Sequence, residues 1–493
     1  MLNYLFVLKI VTEFFLIIFL VSCATHHSPE QVKPNFLIFI ADDLTYRDIP
    51  PYGNTDVVTP NLEEFAKTAV KYNHMYVSSA MCAPTRMELY TGLQPVRSGA
   101  HPNHSRVYNN VRSLPNYLRP LGYRVASLGK RHEFPMENFS FEHLGGMHHD
   151  DGKTKKELDL SLAKTFFETT GQPWTLVVAS NQPHTPWNRG DASQYEEAKL
   201  NVPEYLEDTP ETRAALTRYY AEISYLDRQF GTVLEHLRKS NQKRDTLIIF
   251  LSEQGSNFPF AKWTLYDNGH HSAMLTAWYF GKNRASKKQA SRETNAIIQY
   301  ADIVPTLIEL AGQSPDKLSL DGKSFVSVLA GRSDKHRDYA FGVHTTRGIY
   351  SGASSYPIRV VTDGRYRLIW NLDHTKQFAN SVVKQGGPNH TLSSWLKSEN
   401  IDTRERAKRY LTRPEFELYN LDEDPFELKN LAADPAQHFF IRNKLLTQLK
   451  NWMAAQRDEG IKTELDAENR KHIGKHSVDL GIPAGGTALD YKW

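Results

Sequence analysis

Cys82 lies in the stretch Cys82-Ala83-Pro84-Thr85-Arg86, ahead of Leu89 and Thr91-Gly92. Alone, these residues fit a buried structural cysteine in a loop as well as a reactive one, because a free thiol is most often a small hydrophobe. Asp42 and Asp43 are adjacent. Neighbouring carboxylates repel, and their natural partner is an oxygen-seeking divalent cation, Ca2+ or Mg2+. Lys130 and His132 stand two apart, so on an extended segment both face one way and could meet one anion. His184 is boxed by Pro183 and Pro186, which presents its ring rigidly. Each has a plainer role to set beside these: an acidic helix cap, a solvated lysine or histidine, a turn imidazole satisfied by backbone.

The elements that must position these groups are continuous apolar runs. Asn35-Phe36-Leu37-Ile38-Phe39-Ile40 leads into Asp42, Trp174 to Ser180 leads toward His184, and Thr246 to Leu251 leads into Glu253 and Gln254. Such runs mark strands buried on both faces of a parallel sheet. Open α/β sheets place their sites at the carboxyl ends of such strands. A helix is expected from Thr59-Pro60-Asn61-Leu62, with a threonine cap and a proline in the first turn. Another is expected from Pro84 onward, its N–H groups aimed toward Cys82. Arg359-Val360-Val361 and Tyr366 to Trp370 read as antiparallel strands joined at Asp363-Gly364. The fold class expected is α/β: a large mixed, mostly parallel sheet sandwiched by helices, with a smaller C-terminal α+β domain around an antiparallel sheet.

Composition narrows the classes. The 493 residues are 40% hydrophobic and 23% charged, enough for a large core. A formal net charge of +3, with no basic run interleaved with aromatics, does not suit nucleic-acid binding. Two cysteines, Cys23 and Cys82, make a disulfide framework a poor reading. Residues 1–22 carry Lys9 and a short apolar run from Phe14 to Val21, the pattern of a signal peptide. The run ends Leu20-Val21-Ser22-Cys23, which resembles the bacterial lipoprotein box and implies a lipid anchor on Cys23, a membrane partner, and a place in the cell envelope, periplasm or cell surface. The expected organisation is a signal peptide over 1–22, a linker over 23–33, a catalytic domain over 34–350 and a smaller domain over 351–493.

Taken in order, the separated motifs resemble the type I, formylglycine-dependent sulfatases of the alkaline phosphatase superfamily. The resemblance runs from Asn35 to about Pro435 and includes Tyr300-Ala301-Asp302, Glu417-Leu418-Tyr419-Asn420 and Asp424-Pro425-Phe426-Glu427. It implies that Cys82 is oxidised to formylglycine (3-oxoalanine) by a maturation enzyme. One hydroxyl of the hydrated aldehyde would attack sulfur, and the second would later expel sulfate. Arg86 would hold the hydrate. Lys130 and Lys262 would grip the sulfate, His184 would serve the leaving oxygen, and His132 the nucleophile's hydroxyl. The resemblance also implies one Ca2+ per chain, held by Asp42, Asp43, residue 82, Glu253 and Gln254. Relatives usually carry Asp and then Asn or His where this chain has Glu253 and Gln254, so each side chain here is one methylene longer.

Within the family, Thr91-Gly92-Leu93, Tyr356-Pro357-Ile358-Arg359 and Trp370-Asn371-Leu372 resemble the heparan N-sulfatase (sulfamidase) branch. His104, His344 and Arg359 become candidate substrate contacts, with Arg359 suited to a uronate or a second sulfate. The expected substrate is a sulfated oligo- or polysaccharide. The alternatives are an N-sulfoglucosamine sulfohydrolase, a phosphomonoesterase or phosphonate hydrolase of the same superfamily, and a non-catalytic glycan-binding lipoprotein in which Cys82 stays a thiol.

Overall fold

The computed structural model describes residues 32–146, 157–282, 289–349, 351–383, 390–434 and 436–470. The expected signal peptide and the lipidation of Cys23 lie outside them. Among the described residues no helix is long and apolar enough to cross a membrane.

The apolar runs form strands, and the strands form one eight-stranded sheet. Across it lie Arg292–Thr294, Val70–Tyr72, Met274–Tyr279, Thr246–Ser252, Asn35–Ala41, Trp174–Ala179, Arg124–Gly129 and Glu142–Gly145. Only Met274–Tyr279 runs against the rest among these strands. Alternate residues of the central strand feed opposite cores. Leu37, Phe39 and Ala41 pack on one side, and Phe36, Ile38 and Ile40 on the other. The first side is covered by the long helix Pro210–Lys239, where Phe39 meets Phe230 edge-on at 5.1 Å. The second is covered by Cys82–Thr91 and Ile303–Leu310. Each such fully buried Leu, Ile or Phe contributes about 1.5–3 kcal/mol.

Register sets the site. Ala41 lies level with Ser252, Ile40 with Ala179, and Gly129 with Ala179. These strands therefore end within one residue of each other, and the next residues, Asp42, Glu253 and Lys130, leave the sheet side by side. Gly129 makes this fit: its φ is +102°, and a Cβ there would sit 2.0 Å from the Ala179 carbonyl oxygen.

The smaller sheet is an antiparallel meander of Ala340–His344, Ile358–Thr362, Tyr366–Asn371 and Phe416–Asn420. The hairpin expected at Asp363-Gly364 is present, with Gly364 at φ +90°. The described residues from Pro34 onward form one compact unit. The expected 350/351 border falls inside that unit, between the first two strands of the meander.

Candidate active site

The helix expected from Pro84 begins at Cys82, and all ten of its residues to Thr91 are buried. Met81 is extended, at φ −146° and ψ 136°, and the Thr85 hydroxyl donates to the Ser79 carbonyl at 2.6 Å. Pro84 is tolerated because N–H groups of the first turn have no partner within the helix. Cys82 is therefore the first helical residue and faces the strand ends.

Around its Sγ stand several of the groups named from sequence. Asp42 Oδ1 and Asp43 Oδ1 are each 3.9 Å away, and Gln254 Nε2 is 3.4 Å away. Lys130 Nζ donates to Asp42 Oδ2 and Lys262 Nζ to Asp43 Oδ2, both at 2.6 Å. Arg86 forks onto Glu253 at 2.7 and 3.0 Å, and its third contact is the Lys130 carbonyl oxygen. Three carboxylates thus face three cations in a site with almost no water contact. Asp43 is held at φ 62°, a strained backbone for a residue other than glycine that functional sites often store.

The charges bias one another. Burial opposes ionisation of Asp42, but Lys130, then His184 and Glu253, outweigh it and hold this carboxyl well below the usual range. Burial, with Asp42 alongside, pushes Glu253 up to about 8 against the pull of Arg86. Burial also pushes the Cys82 thiol up to about 12, although both lysines pull it down. The His184 Nδ1–H donates to the Thr185 carbonyl at 2.6 Å, so its Nε2 is the atom turned to Asp43 Oδ2 at 3.6 Å.

A divalent cation fits this donor set. Asp43, Cys82 and His184 form one group, and Asp42, Cys82 and Glu253 another, with ligand atoms within 4.8 Å of one another in each. The Gln254 Oε1 is buried without a hydrogen-bond partner while its Nε2 meets Asp43 and Cys82. The two ends of an amide are assigned from such networks, and turning this one would offer a carbonyl oxygen to the cluster.

Of the three specificity candidates, His104 lies beside His132. Its ring is 4.9 Å from that of His132, and its Nδ1 donates to the Gly348 carbonyl at 3.0 Å. His344 is wholly buried at the end of its strand. Arg359 is a correction: it is 0% exposed and forks onto Asp458, with Nη2 to Oδ1 at 2.7 Å. Its strand is buried along its whole length, and its partner lies 99 residues away in sequence, so nothing local revealed the pairing. Arg359→Ala should strand Asp458 in the interior and cost about 3–5 kcal/mol. Thermal unfolding should show that loss, and turnover of large and small substrates should fall together. A loss confined to large substrates would restore Arg359 as a contact.

One neighbour escaped sequence reasoning. The Lys262 ammonium sits 4.7 Å over the ring of Trp263, whose backbone is left-handed at φ 68°. Adjacency to Lys262 was the available signal.

Comparison with known proteins shows the family. A family model described as Sulfatase matches residues 34–313, more than half of the chain. An ulvan-active sulfatase of Formosa agariphila is 28% identical over 431 residues, covering 86% of this chain and 81% of that protein. Human N-sulphoglucosamine sulphohydrolase is 26% identical over 477 residues, covering 87% and 91%. Among solved structures, a 2-O GAG sulfatase superposes with a TM-score of 0.63 at 20% identity, covering 87% of this chain and 93% of that one. The phosphonate monoester hydrolase of Agrobacterium radiobacter does so at 0.61 and 18%, covering 86% and 96%. The fold is shared by both chemistries, so it does not by itself separate them.

Proposed function

We propose, from the premise that this chain belongs to the sulfatase family, that it hydrolyses sulfate esters of sulfated saccharides with residue 82 as nucleophile. The observation that carries the reading is the convergence of Cys82 with Asp42, Asp43, Lys130 and Lys262 at the ends of aligned strands. A thiol held near 12 is a poor nucleophile, which favours conversion of Cys82 to formylglycine by a maturation enzyme. The hydrated aldehyde would supply one hydroxyl to attack sulfur and a second to release sulfate. Asp42, Asp43, Glu253 and Gln254 would hold Ca2+, which would supply Lewis-acid chemistry and offset negative charge at the site.

The remaining roles follow from geometry. Lys130 and Lys262 are buried donors aimed at the strand ends, suited to charge that builds on sulfuryl oxygens. Arg86 is locked by Glu253 and the Lys130 carbonyl, so it fixes the nucleophile's turn and Lys130 together. His184, its Nδ1 proton held by Thr185, turns Nε2 toward Asp43, from where it would serve the leaving oxygen. His132, its ring tilted against that of His104, would assist release of sulfate. The Leu20-Val21-Ser22-Cys23 box supports a lipid anchor and a place at the cell envelope.

The test is a panel of defined O- and N-sulfated sugars, with phosphate and phosphonate esters of the same alcohols, read as free sulfate or phosphate. Sulfate release from a saccharide is expected; preferred turnover of a phosphorus ester would sink the reading. Release from N-sulfoglucosamine alone would move the substrate to the one named for the human relative.

Metal removal gives a further prediction. Chelation should abolish turnover, and Ca2+ should restore it. Because a ligand for the folded state stabilises by mass action, Ca2+ at a hundredfold over its Kd should add about 2.7 kcal/mol, visible as a higher Tm. Full activity in metal-free protein, or two bound zinc ions per chain, would favour a phosphatase-like site.

A further inference from the structure

Arg413, His344 and Tyr356 hold polar atoms without partners deep in the protein. Arg413 is 2% exposed, and His344 and Tyr356 are 0% exposed. Among the described residues, both terminal guanidinium nitrogens of Arg413, both ring nitrogens of His344 and the Tyr356 hydroxyl lack a hydrogen-bond partner. Buried polar groups are normally satisfied, so each exception asks for an explanation. Five such atoms on three neighbouring side chains ask for one explanation together.

Phe378 shows that they are neighbours. Its ring lies 5.8 Å from His344 and 5.2 Å from Tyr356, and the Arg413 guanidinium stacks 3.9 Å above it. Arg413 Nε donates to the Tyr410 carbonyl at 3.2 Å, which fixes the base of the fork and leaves its two ends. Among the described residues no carboxylate pairs with Arg413. Glu417, the acid that shares its surroundings, is taken by Tyr266, Tyr419 and Asn371. Burial, then Arg413, lowers His344 to about 3, so its ring is neutral and offers one donor.

Contacts link the cluster to the segments that carry His132 and Lys262. The chain after His344 runs to Thr345, whose hydroxyl donates to the His101 carbonyl, and to Gly348, which accepts from His104 beside His132. Arg413 in turn lies 5.0 Å over Tyr266, four residues beyond Lys262.

We propose that Arg413, His344 and Tyr356 form a substrate subsite for an anionic substituent, a uronate carboxylate or a second sulfate, on the saccharide whose sulfate ester lies at residue 82. It rests on the sulfatase reading. A guanidinium fork with two free ends, a hydroxyl and a neutral imidazole donor match the lone pairs of a carboxylate or sulfate. The anion-reading role expected of Arg359 thereby passes to Arg413.

The experiment compares wild type, Tyr356→Phe and Arg413→Gln on matched sulfated disaccharides. One carries a uronate, one the same sugar with its carboxylate reduced to an alcohol, and one that neutral sugar with a second sulfate. Wild type should prefer a charged partner by about ten- to a hundredfold in kcat/KM, and whichever charged arm leads names the anion. Tyr356→Phe should cut that preference about tenfold with an unchanged or higher Tm, since the lone hydroxyl has no protein bond to lose. If Arg413→Gln does not fold, Tyr356→Phe still decides. No preference in wild type, or a Tyr356→Phe variant with lower Tm and the same preference, would overturn the subsite in favour of an internal water network. If wild type releases sulfate from nothing, the sulfatase reading fails. The subsite is then judged by thermal shift, surviving if glucuronate but not glucose raises the Tm of wild type and not of Tyr356→Phe, and falling otherwise.

Discussion

Cys82→Ala is expected to lose sulfate release by on the order of 10^4- to 10^6-fold, the scale at which removing a nucleophile leaves only binding and electrostatics. The fold should survive, because the local geometry does not depend on the thiol. The Thr85 hydroxyl and the Thr85 amide hold the turn to Ser79 and Met81, and Ala83, Met87 and Leu89 anchor the helix in the core. Cys82→Ser should be nearly as inactive, because a serine hydroxyl can attack once but offers no second hydroxyl to expel sulfate. Peptide mass spectrometry of protein made with a formylglycine-generating system should show residue 82 as aldehyde or hydrate. Sulfate release by the alanine variant at a tenth of the wild-type rate would end the mechanism.

What could be read from the chain alone follows from how local each feature is. Asn35–Ala41, Trp174–Ala179 and Thr246–Ser252 announce themselves because a strand buried on both faces must be apolar throughout. Their register with one another and with Arg124–Gly129, which brings Asp42, Lys130 and Glu253 out of the sheet together, is visible only in the structure. Arg359 shows the limit. An arginine on a strand reads as an edge or a contact, and only the return of the chain at Asp458 shows that it is an interior ion pair. Arg413 is the converse: nothing in Thr412-Arg413-Pro414 marks it, because His344, Tyr356 and Phe378 come from three other segments. The start of the Cys82 helix was misplaced by two residues because Pro84 looks like a first turn whether it stands first or third.

Lys262→Ala is expected to lower kcat by on the order of 10^2- to 10^3-fold, the usual cost of removing one preorganised donor to a developing oxyanion. The same change removes the 2.6 Å partner of a buried carboxylate, Asp43. An uncompensated buried charge costs about 3–5 kcal/mol, but Gln254 still donates to Asp43 at 2.6 Å and His184 lies 3.6 Å away, so the lower end is expected. These two effects separate when Ca2+ is added, because a cation bound by Asp43 replaces the charge that Lys262 supplied to it. Thermal unfolding with and without Ca2+ should therefore show most of the lost stability restored in the variant. Single-turnover rates at saturating Ca2+ and substrate should stay low, since no other group takes over the sulfuryl oxygen that the ammonium would meet. Lys262→Arg should not rescue the rate, because a planar fork cannot replace a compact point charge in a fully packed site. If Ca2+ restores stability and rate together, Lys262 only balances Asp43, and contact with the sulfuryl group must be assigned to Lys130 alone.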